Sequence, residues 1–111
     1  MPAVDVRLDQ PLARAMADGL LDGGVLPVLK HIPGHGRAAA DSHLELPIVG
    51  APLDTLRKTD FVPFKALADL PMGMTAHVMY TAIDNHHMAT LSSTVVQLIR
   101  QELGFHGLLL S

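Results

Sequence analysis

Apolar and polar positions alternate along this chain with two different periods, and the switches between them mark its elements. Val4, Val6 and Leu8 are separated by Asp5 and Arg7, a faint two-residue rhythm that suggests a short strand. Leu12, Ala13, Met16 and Leu20 then recur at helical spacing, with Pro11 placed to open the helix and Gly23 and Gly24 to close it. Val25 to Leu29 is almost wholly apolar, as a strand covered on both faces would be, although Pro27 removes one ladder donor. Helical spacing returns from Leu53 to Leu70 and is interrupted at Pro63, which predicts two short helices. Gly73 to Tyr80 reads as a second strand, followed by a polar loop from Thr81 to Thr90. Ser92 is a suitable N-cap for a helix whose apolar face is Val95, Val96, Leu98, Ile99 and Leu103, with Gly104 closing it. Gly107 to Ser111 reads as a third buried strand.

Strands that alternate with helices imply an α/β protein with about three parallel strands joined by right-handed crossovers. Such sheets build their sites at the carboxyl ends of the strands. The polar residues fall at those ends: Lys30 and His31 after the first strand, His77 near the end of the second, Ser111 at the end of the third. Between Lys30 and Pro52 there is no convincing period, and a loop of about 20 residues in a small domain is usually functional or disordered.

Composition narrows the classes. The chain has 111 residues, room for one small domain. It is 49% hydrophobic and 17% charged, which fits strands covered on both faces or a piece of a larger core. A net charge of −3, with 8 Lys plus Arg scattered along the chain, argues against nucleic acid and against a polybasic membrane patch. Cysteine is absent, which removes disulfides and thiolate metal sites and leaves a reducing cytosol as the simpler compartment. No stretch reaches the roughly 20 apolar residues of a membrane span, and residues 1–10 do not read as a secretory signal.

The chemistry is concentrated in the loop Lys30-His31-Ile32-Pro33-Gly34-His35-Gly36-Arg37-Ala38-Ala39-Ala40-Asp41-Ser42-His43. Asp41 and His43 are close enough in a turn for the carboxylate to orient the imidazole, as an acid/base catalyst requires. The alternative is a turn-capping aspartate beside an exposed histidine. Lys30 and His31 could grip oxygens of a polar ligand, or be a surface lysine beside a satisfied histidine. His31, His35, Asp41 and His43 are also types that suit zinc, although Pro33, Gly34 and Gly36 spoil the helical spacing of the first two. Met72, Met74 and Met79 are read as core filler.

The string Lys-His-Ile-Pro-Gly-His-Gly followed by Asp-Ser-His resembles the signature of bacterial β-N-acetylglucosaminidases of glycoside hydrolase family 3. Further matches follow in order: Glu45 to Pro47, Pro63-Phe64, Met74 to Tyr80, Ala89 to Ser92 and Glu102 to Ser111. The resemblance covers Ala13 to Ser111 and implies an incomplete (β/α)₈ barrel, truncated at both ends. It further implies retaining hydrolysis of terminal β-linked N-acetylglucosamine from cell-wall muropeptides in the cytoplasm, with no cofactor and no metal. In that scheme His43 is the acid/base, Asp41 its partner, and Lys30 and His31 contact the sugar. The family's nucleophile is an aspartate directly after the serine that matches Ser111, so the expectation is that these residues lack it and have no turnover alone. Residues 1–10 match the family poorly, including its upstream sugar-binding aspartate and arginine. His106 stands where an acidic residue is common, and Met88 where proline is usual. The rival reading is a non-catalytic module that binds sugar or metal weakly, or self-associates through unpaired sheet edges.

Overall fold

The computed structural model describes residues 3–5, 10–37 and 46–111, with 3–5 and 10 described by their backbone alone. In chain order the elements are β1 (Ala3–Asp5), α1 (Gln10–Asp22), β2 (Val28–Ile32), β3 (Ile48–Val49), α2 (Leu53–Lys58) and α3 (Val62–Ala66). They continue with β4 (Met72–Thr75), β5 (Met79–Tyr80), a 3₁₀ turn at Ala89–Leu91, α4 (Ser93–Gln101) and β6 (Leu108–Leu110).

Every strand pairing is parallel, as alternating strands and helices require. The main sheet has the order β1-β2-β4-β6, and β3 and β5 form a separate two-stranded pair. The faint alternation near the amino terminus is therefore a fourth strand of the main sheet, limited to Ala3–Asp5. The apolar run before Lys30 is shifted from its expected place. Val25 and Leu26 are exposed, and the strand begins at Val28 and continues through Lys30 and His31 to Ile32. The run from Gly73 to Tyr80 is two strands, broken at Ala76-His77-Val78 where the chain leaves one sheet for the other.

Leu29 and Ile32 on β2 are buried against Leu56, Phe61, Phe64 and Leu67 of the α2–α3 segment and Val95, Ile99 and Phe105 around α4. Each such side chain contributes roughly 1.5–3 kcal/mol of transfer free energy. The face of α1 differs from its reading in the sequence: Ala13 and Ala17 are buried, whereas Leu12 and Met16 are exposed. Small residues let this helix lie close to the sheet, so its larger apolar side chains turn outward. Arg14 holds it from the side, donating to the Asp69 carboxylate at 2.6 and 3.1 Å and to the Ala66 carbonyl at 3.0 Å.

The helix ends follow local chemistry. Pro63 occupies the first turn of α3, and Gly104 takes a positive φ of 75° after α4. Ser92 caps α4, its hydroxyl accepting from the Val95 amide at 3.1 Å. The same hydroxyl donates to Asp84 at 2.7 Å. Asp84 also accepts the His86 and His87 amides at 2.9 and 3.2 Å, which closes the Thr81–Thr90 loop on itself. These hydrogen bonds, that of Ser92 foremost, hold the Asp84 carboxyl down to about 2. At the entry to β6, Gly107 passes Pro71 so closely that a Cβ would lie 2.3 Å from the Pro71 carbonyl oxygen.

Candidate functional site

The carboxyl ends of β1, β2, β4 and β6 share one edge of the sheet, and Lys30 and His31 sit there. Asp5 pairs in register with Lys30, and Lys30 with Met74. At the next step the register slips, so that Ile32 and not His31 is opposite Thr75. His31 is thus the extra residue of a bulge, a device that re-aims a side chain at a strand end. The Lys30–His31 and Ile32–Pro33 peptide bonds are both cis. Lys30 and His31 are half-buried, and the His31 and His35 rings lie 5.4 Å apart at 51°.

The strand then turns through Pro33 to Arg37. Gly34 has φ 148°, and a Cβ there would sit 3.4 Å from the Asp60 side chain and 3.5 Å from the Tyr80 hydroxyl. Arg37 ties this turn to the α2–α3 junction, donating to Asp60 at 2.7 Å and to the Thr59 hydroxyl at 3.1 Å. Tyr80 is buried beneath it, and its hydroxyl finds no hydrogen-bond partner among the described residues. Burial, and secondarily the nearby Asp60 charge, push the Tyr80 phenol upward, so it stays neutral. Residues 46 onward return as β3, where the Pro47 carbonyl accepts from the Met79 amide at 3.0 Å. Asp41 and His43 lie outside the described residues; the turn that leads to them and the strand that follows them are both held.

Beside β2, the end of β4 carries a chain of hydroxyls that the sequence did not single out. Thr75 is buried between the strands, donating to the Leu110 carbonyl at 3.3 Å and lying 3.1 Å from the Thr90 hydroxyl. Thr90 donates to the Ala76 carbonyl at 3.0 Å and meets Nδ1 of the exposed His77 at 2.6 Å. A threonine following a strand carries no signal of its own. Only the fold of the Thr81–Thr90 loop brings Thr90 back to β4. Among the described residues no group of three or more His, Asp or Glu side chains is placed to hold a metal ion. Among them, too, no helix is long and apolar enough to cross a membrane.

The sequence motifs led one to expect parallel strands with Lys30 and His31 at their carboxyl edge; the bulge and the hydroxyl cluster are additions that the structure makes. Residues 3–111 match the glycosyl hydrolase family 3 N terminal domain. The chain belongs to that family. A β-hexosaminidase of Alkalilimnicola ehrlichii is 44% identical over 102 residues, spanning 90% of this chain and 29% of the relative. Among solved structures, NagZ from Neisseria gonorrhoeae in complex with N-trifluoroacetyl-D-glucosamine superposes with a TM-score of 0.83 and 38% identity, covering 90% of this chain and 30% of that one. A family 3 β-N-acetylglucosaminidase from Paenibacillus sp. gives a TM-score of 0.85 at 36% identity, covering 90% of this chain and 20% of its own. The family 3 chain described here therefore spans less than a third of the length of these relatives. Its parallel strands and intervening helices match the barrel-like amino-terminal domain of those structures.

Proposed function

We propose that this chain is part of a retaining β-N-acetylglucosaminidase that removes terminal β-linked N-acetylglucosamine from muropeptide fragments. The observation that carries the reading is the bulge at the end of β2, which places Lys30 and His31 together at the carboxyl edge of a parallel sheet. The hexosaminidase names of the relatives and the sugar bound to the Neisseria NagZ support the substrate class.

In this reading Lys30 and His31 bind the sugar. His43, oriented by Asp41, protonates the glycosidic oxygen as the bond to the leaving group breaks, then takes a proton from the water that releases the sugar. A retaining reaction also needs a nucleophile on the opposite face of the ring. The family resemblance puts that aspartate immediately after Ser111, so residues 1–111 by themselves should release nothing from a chromogenic N-acetylglucosaminide. They supply the acid/base and part of the sugar site. The outer edges of β1 and β6 carry no partner strand among the described residues, and self-association through them is part of the same proposal.

Isothermal titration with N-acetylglucosamine tests the reading. The unmodified chain should bind, and His31→Ala and Lys30→Ala should each weaken binding about tenfold, as loss of a charged or well-formed hydrogen bond does. Binding indifferent to both substitutions would remove the basis for placing the sugar at β2.

A further inference from the structure

Thr90 has one hydroxyl proton and three polar neighbours. Directed at the Ala76 carbonyl, which lies 3.0 Å away and can only accept, that proton leaves only lone pairs for the other two neighbours. The contact with His77 Nδ1 at 2.6 Å then requires the ring to be the donor. A neutral imidazole with Nδ1 protonated has an unprotonated Nε2, which can only accept. That nitrogen has no partner among the described residues and belongs to a side chain left exposed at the carboxyl end of β4. The strand is the immediate neighbour of β2 and its bulge, and Ala76 donates its amide to the Ile32 carbonyl at 2.8 Å. Thr75, linked to Thr90 at 3.1 Å and to Leu110 at 3.3 Å, ties the arrangement to β6 on the other side.

We propose that His77 is a further sugar-contacting residue, its tautomer fixed by Thr90 so that Nε2 accepts a hydrogen bond from a pyranose hydroxyl. This rests on the sugar-binding reading of the β2 end and adds to it a group of opposite hydrogen-bonding character. Lys30 can only donate, whereas Nε2 of His77 in this state only accepts, and a ring hydroxyl does both. Thr90 acts through His77 and is a positioning residue.

Long-range proton–nitrogen NMR of the full chain tests the two parts separately. The His77 ring should show Nδ1 protonated and Nε2 bare. Thr90→Val should release that preference, and Thr90→Ser should keep it. Titration with N-acetylglucosamine should shift Nε2, and His77→Phe should weaken sugar binding roughly 3- to 10-fold, the loss expected for one neutral hydrogen bond. A ring protonated on Nε2, or a His77→Phe variant that binds as tightly as the parent, would overturn the proposal while leaving Lys30 and His31 standing. An unmodified chain that binds no sugar would sink this inference and the proposed function together. His77 is exposed, so amide dispersion of His77→Phe should match the parent and exclude misfolding as the cause.

Discussion

The two halves of the sheet are held together in different ways. From β4 to β6 the chain closes on itself through neighbours in sequence. Ser92 caps α4 and grips Asp84, Arg100 donates to the carbonyls of Phe105 and Gly107 at 3.1 and 2.6 Å, and Gly107 is seated on Pro71. From β1 to β2 there is little of this among the described residues. The helix α1 packs through two alanines, presents Leu12 and Met16 to the outside, and is fastened by the exposed pair of Arg14 and Asp69. Surface ion pairs of that kind contribute at most about 1 kcal/mol. The lesson is that the carboxyl-terminal half is specified by local contacts, whereas α1 is seated by two small side chains and one surface ion pair.

One substitution made in both halves gives the sharpest test. Gly107→Ala forces a methyl group into the Pro71 backbone and should destabilise the chain by about 3 kcal/mol, the top of the usual overpacking range, in a denaturant melt. Ser92→Ala is next, at roughly 1 kcal/mol for a lost N-cap. It also removes the foremost cause of the low Asp84 pKa. A carboxyl held at about 2, against an ordinary 3.8, contributes stability that is present above pH 4 and lost as pH falls toward 2. The variant should therefore lose less stability over that acid interval than the parent does. The smallest effect has the opposite sign. Gly19 lies within α1 and a Cβ there meets nothing within 4 Å, so Gly19→Ala should stabilise by about 0.5–1 kcal/mol. A loss of stability at Gly19, or tolerance at Gly107, would break the contrast.

Much of this was legible in the residues because the signals were local. Gly23-Gly24, Pro63, Ser92 and Gly104 mark ends that depend only on their own backbone chemistry, and all four fall where the elements stop or start. The parallel pairing followed from the alternation of strands and helices. What was hidden is set by distant neighbours. The face of α1 was inferred from side-chain size, yet closeness to the sheet selects its small residues. The β3–β5 pair is two residues long on each side, too short for any period to register. In the site, Lys30 and His31 could be named because an unusual motif carries them. Thr75 and Thr90 could not, since they stand 15 positions apart and only the path of the chain through β5 and the Thr81–Thr90 loop brings them to 3.1 Å.

Tyr80 has an optical consequence. The chain contains one tyrosine, three phenylalanines and no tryptophan, so under excitation beyond the phenylalanine band its intrinsic emission comes from that single phenol. Its ring projects from β5 of the second strand pair and is buried, with its hydroxyl under the Gly34 turn. A fluorescence trace of the unlabelled protein is therefore a report from one address, the floor beneath the histidine-rich turn. Loosening of that turn should change the signal even while α4 stays folded, and the helical dichroism of α4 provides the independent channel against which to read it.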